Sequence, residues 1–419
     1  MYIESRPLNI EDTYMKVLLP NHFPLKGSGS GIYTQNVARE LLKLGHEALA
    51  IVPDHQEVTG YPFPVHTILF SPEPEQGKGE RGLPFNFPCF TTHPRSNVTF
   101  GDLTDEQMRA YVEAFMAAIR EAVVQWQPDI IHAQHLWVTA YCAAQTGVPY
   151  VATSHGTDLM GYRRYPRYRD MATTGVMGAA KVIAISRQVA RDVRQIYNLD
   201  EDKITLIWNG FDANIFKVLP VSRAEVLSKY GLPPNPPAVV SFVGKLTEFK
   251  GVDVLLHAAQ RYEREIEGVI TLIVGHGALD EELRALAQEL GLKGVYFLEQ
   301  QPQEEVARIY NIADVSTVPS RVEPFGLVAI EALACGTPVV ATNKGGLPDF
   351  INERVGSLVP VDDAEQLAAA IVHEIRSHSK QTKGKWAAQY ALAEYSWTQQ
   401  VKRMVQTYQQ AIGPPTRTN

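Results

Sequence analysis

Short apolar runs alternate with stretches of helical period through most of this sequence, and they do so in two separate series. A run of about five apolar residues is too short for a buried helix and suits a strand covered on both faces. A helix between two such runs carries the chain back for parallel pairing, so the pattern is that of βαβ units. In the first series Met15–Leu19, Ala48–Val52, Asp129–His132, Tyr150–Thr153 and Lys181–Ile185 read as strands. A loop to Gly31 leads into a helix through Leu44, ended by Gly45; Glu106–Trp126 is a long amphipathic helix, and Ser186 caps another. Residues 53–101 are rich in Pro, Gly and turn residues and read as an irregular insertion with short strands at the domain's edge. The second series begins near Ala238. Val239–Val243, Val269–Val274, Val295–Leu298 and Val315–Val318 are its strands, with helices over Val252–Tyr262, Leu279–Leu290 and Glu304–Ile312. Between the series lie Asn209–Asp212 and the Pro-rich Leu232–Pro237, a surface connection. The expectation is an α/β protein of two Rossmann-like doubly wound domains, 1–214 and 215–396. Ligands bind at the carboxyl ends of such strands, so both domains would offer loops to one cleft.

With 419 residues the chain has length enough for two cores. Its net charge of −7 argues against general nucleic-acid binding, which needs a basic face. No apolar run reaches the roughly 18 residues of a membrane span. The N-terminal MYIESRPLNIEDTY carries acids and no apolar signal core, so a cytoplasmic protein is expected. Cys89, Cys142 and Cys335 lack metal spacing and are odd in number, which fits reduced, semi-buried thiols.

The segment Glu323-Pro324-Phe325-Gly326-Leu327-Val328-Ala329-Ile330-Glu331 holds two carboxylates with a Pro-Phe-Gly turn and an apolar run between them. Leu327–Cys335 reads as a buried helix, with Glu323 in the loop before it and Glu331 about two turns inside. The helix start between them offers free N–H groups and the positive end of the dipole. That layout suits a ligand with a hydroxyl-rich group, a phosphate and a second diol in line, as in a nucleotide sugar. The plain alternative is a capped core helix with incidental acids.

Other candidates also follow strands. Gly27-Ser28-Gly29-Ser30-Gly31 could form an anion nest through its N–H groups, Gly29 and Ser30 foremost; a surface turn would look the same. It is not a dinucleotide fingerprint, because G-x-G-x-x-G spacing is absent and no acid ends the second strand at the right distance. In Ser154-His155-Gly156-Thr157-Asp158, His155 would emerge at the cleft, and Asp158 supports the loop or touches the acceptor. Lys245 and Lys250 lie between a strand and a helix, where cations neutralise a departing diphosphate; two solvated lysines are the alternative. Gly345-Gly346 is a permissive turn, structural rather than contacting. Gly161–Arg169 packs four arginines among three tyrosines. It is either a solvated face or, through Arg163 and Arg164, an acceptor subsite for a phosphate or carboxylate. Such a stretch also suits a membrane surface, but no basic amphipathic helix adjoins it.

EPFGLVAIEALACGTPVVATNKGGLPDFI, with the loops above, resembles the signature of retaining family-four glycosyltransferases of the GT-B fold, and the resemblance covers nearly the whole chain. It implies that Glu323 faces the donor sugar and Glu331 holds the ribose diol. It places the glycine loop against the donor diphosphate and the acceptor, and gives His155 polar contact with the reacting sugar. The turn Val274-Gly275-His276-Gly277 is similar to the family's turn on the nucleotide side, with Glu299–Pro302 near the base. The family usually has Arg where Lys245 stands, so a bidentate fork becomes a point charge. The last helix, near Trp397–Ala411, should cross back so that 397–419 joins the first domain. On this reading the chain transfers a sugar, UDP-glucose by default, from a nucleotide-diphosphate sugar to a hydroxyl of a small polar, sugar-like or phosphorylated acceptor. His155, Glu323 and Lys250 carry the chemistry. Phe325, Gly326 and Leu327 join Lys245, Gly277 and Glu331 around the donor, and no cofactor or metal is required. The rivals are a nucleotide-sugar epimerase or hydrolase, a catalytically silent nucleotide-binding GT-B protein, and an NAD-dependent oxidoreductase, which the missing fingerprint disfavours.

Overall fold

The structure is a computed structural model that describes residues 14–72, 82–91 and 93–413. It divides into two compact units: the residues up to Ile207 together with those from Gln400 on, and Trp208–Gln399.

The first unit is built on seven parallel strands: β1 (Lys16–Pro20), β2 (Glu47–Asp54), β3 (Val65–Leu69), β4 (Ile130–Gln134), β5 (Tyr150–Ser154), β6 (Lys181–Ala184) and β7 (Ile204–Leu206). Their order is β3-β2-β1-β4-β5-β6-β7. The order reverses between β1 and β4, the switch point at which open α/β sheets take ligands. Central strands are apolar on both faces; Val17, Leu18, Ile130, Ile131 and Val151 are fully buried. The connecting helices are α1 (Gly29–Lys43), α2 (Asp105–Trp126), α3 (Val138–Ala144), α4 (Thr157–Arg164), α5 (Arg169–Gly178) and α6 (Arg187–Tyr197). Ser186 caps α6 by accepting from Val189 N–H.

The second unit carries six parallel strands: β8 (Val239–Val243), β9 (Ile270–Val274), β10 (Val295–Leu298), β11 (Val315–Val318), β12 (Val339–Thr342) and β13 (Gly356–Val359). Their order is β10-β9-β8-β11-β12-β13, with the switch point between β8 and β11. Its helices are α7 (Arg223–Lys229), α8 (Val252–Glu265), α9 (Asp280–Glu289), α10 (Gln303–Ile312), α11 (Leu327–Ala334), α12 (Ala364–Arg376) and α13 (Ser379–Tyr395). A last helix, α14 (Trp397–Ile412), returns the chain to the first unit at Gln400. Among the described residues no helix is long and apolar enough to cross a membrane. The three cysteines are free and buried, and burial pushes each thiol up to about 12.

Several expectations need correction. The first helix starts at Gly29, not after Gly31, because the Ser28 side chain accepts from Gly31 N–H and caps it there. Half the glycine loop is therefore a helix start. The second strand is longer than read: β2 runs on to Asp54. Asp54 is taken up inside the protein, its two oxygens held by the Arg95 guanidinium at 2.8 and 3.1 Å. The strands β7, β12 and β13 and the helices α3, α4, α5, α7, α12 and α13 have no counterpart in the sequence reading.

The insertion at 53–101 is more than an edge loop. Phe85, Phe87, Phe90 and Phe100 are buried, and Phe90 and Phe100 pack on Trp137 at 5.2 and 5.6 Å. The insertion thus adds a small aromatic core to the unit, and Arg95–Asp54 ties its far end to the sheet. Removing the guanidinium leaves a buried carboxylate unpaired. Arg95→Ala is therefore expected to lower stability to urea by about 1–3 kcal/mol; an unchanged unfolding midpoint would show that the pair holds nothing.

Candidate active site

In the second unit two loops leave neighbouring strands at the switch point. The loop after β8 carries Lys245 and then a 3₁₀ turn, Glu248–Lys250, closed by Gly251 at φ +65°. A side chain at Gly251 would strike the Pro319 carbonyl as well as strain the backbone, so only Gly lets the turn pass so close to β11's end. The loop after β11 carries Arg321 and Glu323. Its backbone is stitched to the first: Arg321 N–H and Val322 N–H both donate to Phe249 O, at 2.8 and 3.2 Å. The Arg321 guanidinium completes the seam. It forks onto Asp253 at 2.6 and 2.9 Å, reaches Asp362 at 2.6 Å and donates to Glu248 O at 2.8 Å. Burial pushes the Asp253 carboxyl up, but Arg321 outweighs it and leaves it below its ordinary range.

The consequence is one short contact: Lys250 Nζ lies 2.6 Å from Glu323 Oε2, with Ser320 Oγ at 3.4 Å from the same oxygen. Glu323 is buried and Lys250 half-buried. Gly345 and Gly346 hold the far side of the Glu323 loop. Gly346 N–H donates to Glu323 O at 3.1 Å, and a Cβ on Gly345 (φ +59°) would overlap that carbonyl.

Glu323 leads through Pro324 and Phe325 into α11. Gly326 caps that helix at φ +107°, and among the described residues no side chain caps its first N–H groups. Phe325 was expected at the donor; its side chain is instead core, packed on Phe350 and Tyr395 at 5.6 and 6.5 Å. Only its backbone is available there, as with the N–H groups of Gly326 and Leu327. Glu331 is the fifth residue of the helix, which begins at Leu327 as read from the sequence, so it falls one turn inside and not two. The residue is half-buried, and its carboxyl has no hydrogen-bond or ion-pair partner among the described residues. Desolvation pushes its pKa up to about 8. A cavity of ≈ 250 Å³ opens at the carboxyl ends of β8 and β9, lined by Gly244, Lys245, Gly275, His276, Gln300 and Gln301 among others. Lys245 is exposed. Gly277 is there for packing: a Cβ would meet the Leu246 backbone, which the turn zips to through Leu246 N–H to His276 O at 3.0 Å.

In the first unit the glycine turn follows β1, Gln134 ends β4 with His135 after it, and His155 follows β5. Gln134 Nε2 donates to His132 O at 3.3 Å, which turns its Oε1 toward His155 Nε2 at 3.0 Å. That oxygen can only accept, so Nε2 carries the proton and Nδ1 is left as an acceptor. Burial presses the His155 pKa down to about 3, so the ring is neutral. Tyr33 packs edge-on to it at 4.9 Å and His135 at 4.7 Å. Of the two roles offered for Asp158, the geometry gives loop support. It is fully buried and its oxygens accept from Leu136 N–H, Ser154 Oγ and His155 N–H.

The arginine cluster is largely spent on the fold. Arg167 donates to Leu103 O and Thr104 O, and Arg169 to Tyr162 O and Arg163 O. Arg163 is exposed and pairs with Asp192 at 3.4 Å, and Arg164 is exposed over the Tyr165 ring. Arg167 and Arg169 are thus taken up by backbone carbonyls, while Arg163 and Arg164, the two offered for an acceptor, stay exposed. Gln134, Tyr33 and Arg321 escaped the sequence reading. Gln134 had a signal, since it ends an apolar parallel strand; Arg321 had none, because its partners are far apart in sequence.

Two parallel α/β units with loops of this kind at their switch points define the GT-B glycosyltransferase fold. The fold likeness is broad. Sucrose-phosphate synthase from Thermosynechococcus elongatus superposes with a TM-score of 0.71 at 23% identity, over 94% of this chain and 98% of that one. HepE from Anabaena, solved with UDP and glucose, gives 0.70 at 21% identity over 94% and 99%. Residues 27–215 match the sequence profile described as Glycosyltransferase Family 4, and residues 224–388 that of Glycosyl transferases group 1. A D-inositol 3-phosphate glycosyltransferase of Mycobacteroides abscessus is 34% identical over 321 residues, 71% of this chain and 70% of the relative. One of the same name from Thermobispora bispora is 30% identical over 370 residues, 81% and 85% of the two chains. The chain belongs to the family 4 glycosyltransferases, and it is a glycosyltransferase.

The raised Glu331 pKa has a consequence for stability. A carboxyl that holds its proton more tightly folded (about 8) than its ordinary 4.5 supports the fold fully below the unfolded value. That support is lost as pH rises through the folded value. The melting temperature of the wild type relative to Glu331→Gln should therefore fall between roughly pH 5 and pH 9. A difference that stays flat over that range would show a carboxylate ionised throughout.

Proposed function

We propose that this glycosyltransferase moves a hexosyl group from a nucleotide-diphosphate sugar, with UDP-glucose as default donor, to a hydroxyl of a small phosphorylated polyol, and that it retains the anomeric configuration. The observation that carries the reading is the Lys250–Glu323 contact of 2.6 Å beside the uncapped start of α11. A cation, a buried carboxylate and free N–H groups in that order suit a diphosphate joined to a sugar. The relatives named D-inositol 3-phosphate glycosyltransferase support a phosphorylated polyol, and the HepE structures with UDP and with UDP-glucose support the donor class.

The groups divide the work. Lys250, Lys245 and the leading N–H groups of α11 take the charge that grows on the departing diphosphate. Glu323 accepts from sugar hydroxyls, and the unpartnered carboxyl of Glu331 meets the ribose diol. His155 accepts a further sugar hydroxyl at Nδ1. The acceptor oxygen bonds to the anomeric carbon as the bond to phosphate breaks, on the same face, and its proton passes to the departing phosphate oxygen. Neither carboxylate forms a glycosyl-enzyme bond of the glycosidase kind, and the reaction calls on no metal. Arg163 and Arg164 are the guanidiniums of their stretch still open to an acceptor phosphate.

A panel of nucleotide sugars, scored by release of nucleoside diphosphate with and without an inositol phosphate and with and without EDTA, tests the reading. Release is expected only with acceptor, and EDTA should not abolish it. Glu323→Gln should lose turnover far more than nucleotide affinity. Lys250→Ala should weaken UDP by roughly ten- to a hundredfold and uridine little, since a charge-assisted contact is worth about 1.5–3 kcal/mol. Release without acceptor would make the enzyme a hydrolase, and equal losses for UDP and uridine would remove Lys250 from the diphosphate.

A further inference from the structure

The first unit contains a closed ring of buried hydrogen bonds that begins and ends on α14. Tyr408 OH lies 2.7 Å from His132 Nδ1, and His132 Nε2 lies 2.6 Å from Thr153 Oγ1. Thr153 in turn bonds the Tyr33 hydroxyl, and Tyr33 OH reaches Met404 Sδ at 3.9 Å. Met404 and Tyr408 are one helical turn apart and share a face of α14. His132, Thr153, Met404 and Tyr408 are all fully buried, and Tyr33 nearly so.

Only one direction satisfies every group. A neutral imidazole has one N–H and one bare nitrogen, and burial holds the His132 pKa down at about 3. With Tyr408 donating to Nδ1, Nε2–H donates to Thr153, Thr153 to Tyr33, and Tyr33 to the thioether. Each bond polarises the next, so loss of one donor is felt along the chain. The chain ends against His155. Thr153 lies near the end of β5, two residues before His155, and the Tyr33 ring sits edge-on to His155 at 4.9 Å.

We propose that Tyr408, on the helix by which the chain returns to the first unit, is a positioning residue for His155, acting through His132, Thr153 and Tyr33. The helix sets the ring orientation in which Nε2 meets Gln134 Oε1 at 3.0 Å. This rests on the reading of His155 as the sugar-facing histidine, and the test keeps the two apart.

Imidazole ¹⁵N spectra of histidine-labelled protein report the His155 tautomer without any substrate. In the wild type His155 should be protonated at Nε2. Tyr408→Phe removes one hydroxyl and keeps the ring; it should shift the His155 resonances and lower kcat about tenfold, with donor KM changed less than about twofold. Thr153→Val breaks the chain at a second point and should do the same, whereas Thr153→Ser keeps the hydroxyl and should restore both readouts. Tyr262→Phe deletes a like buried pair in the second unit, Tyr262 OH to Thr271 Oγ1 at 2.7 Å, and controls for loss of stability alone; neither readout should move. Unshifted His155 resonances in both chain-breaking variants, or a kcat loss equal to that of Tyr262→Phe, would overturn the proposal. If His155→Ala keeps full turnover, the sugar-facing reading fails, and the spectra alone decide whether Tyr408 sets the ring.

Discussion

The Lys250–Glu323 ion pair is the contact that the second unit's loops are arranged to make, and the proposed chemistry depends on it. Taking a carboxylate and an ammonium part-way out of water is costly, and their attraction offsets that cost only when the geometry is good and spare lone pairs are met. The surroundings supply both. Arg321 and the backbone bonds to Phe249 fix the two loops to each other, Ser320 meets the same carboxylate oxygen, and the glycine pair at 345–346 closes over the Glu323 carbonyl. Before a donor binds, each charge is neutralised by the other. On the proposed reading, a diphosphate would enter a place where a cation is already aimed and would need little reorganisation, which is how preorganised charge lowers a barrier.

The sheets explain why these residues can meet at all. Lys250 and Glu323 are 73 positions apart, yet β8 and β11 are neighbours whose connections leave in opposite directions, and that leaves an opening at their carboxyl ends. The first unit repeats the device between β1 and β4, with the glycine turn after β1 and Gln134 closing β4. Gln134 then decides which nitrogen of His155 is bare. The fold supplies position, and one amide supplies the proton assignment.

Much of this was legible in the sequence because each group follows an apolar run directly. Lys245 and Lys250 follow β8, His155 follows β5, and the Glu323–Glu331 segment spans a loop and a helix whose contents imply its geometry. What was not legible depends on distant partners. An arginine looks alike whether it waits for a phosphate or caps a carbonyl; Arg167 and Arg169 do the latter only because Leu103, Thr104 and Tyr162 come within reach. Asp54 ends its strand like a dinucleotide-binding acid until Arg95 is seen across it. β7, with three half-buried residues, and α13, whose apolar residues follow no single stripe, carry too little periodicity to stand out. Glu331 lies a turn shallower than expected because four positions past Leu327 make one helical turn and not two.

A double-mutant cycle on Lys250 and Glu323 tests the central claim most directly. The quantity is kcat/KM for the donor in Lys250→Met, Glu323→Gln and the double variant. If the two side chains act as one unit, the double variant should be about as slow as the worse single one, leaving a coupling of about 1.4 kcal/mol or more, which is roughly tenfold. Losses that multiply to within about twofold would mean that the two groups act independently, and the contact seen at 2.6 Å would carry no part of catalysis.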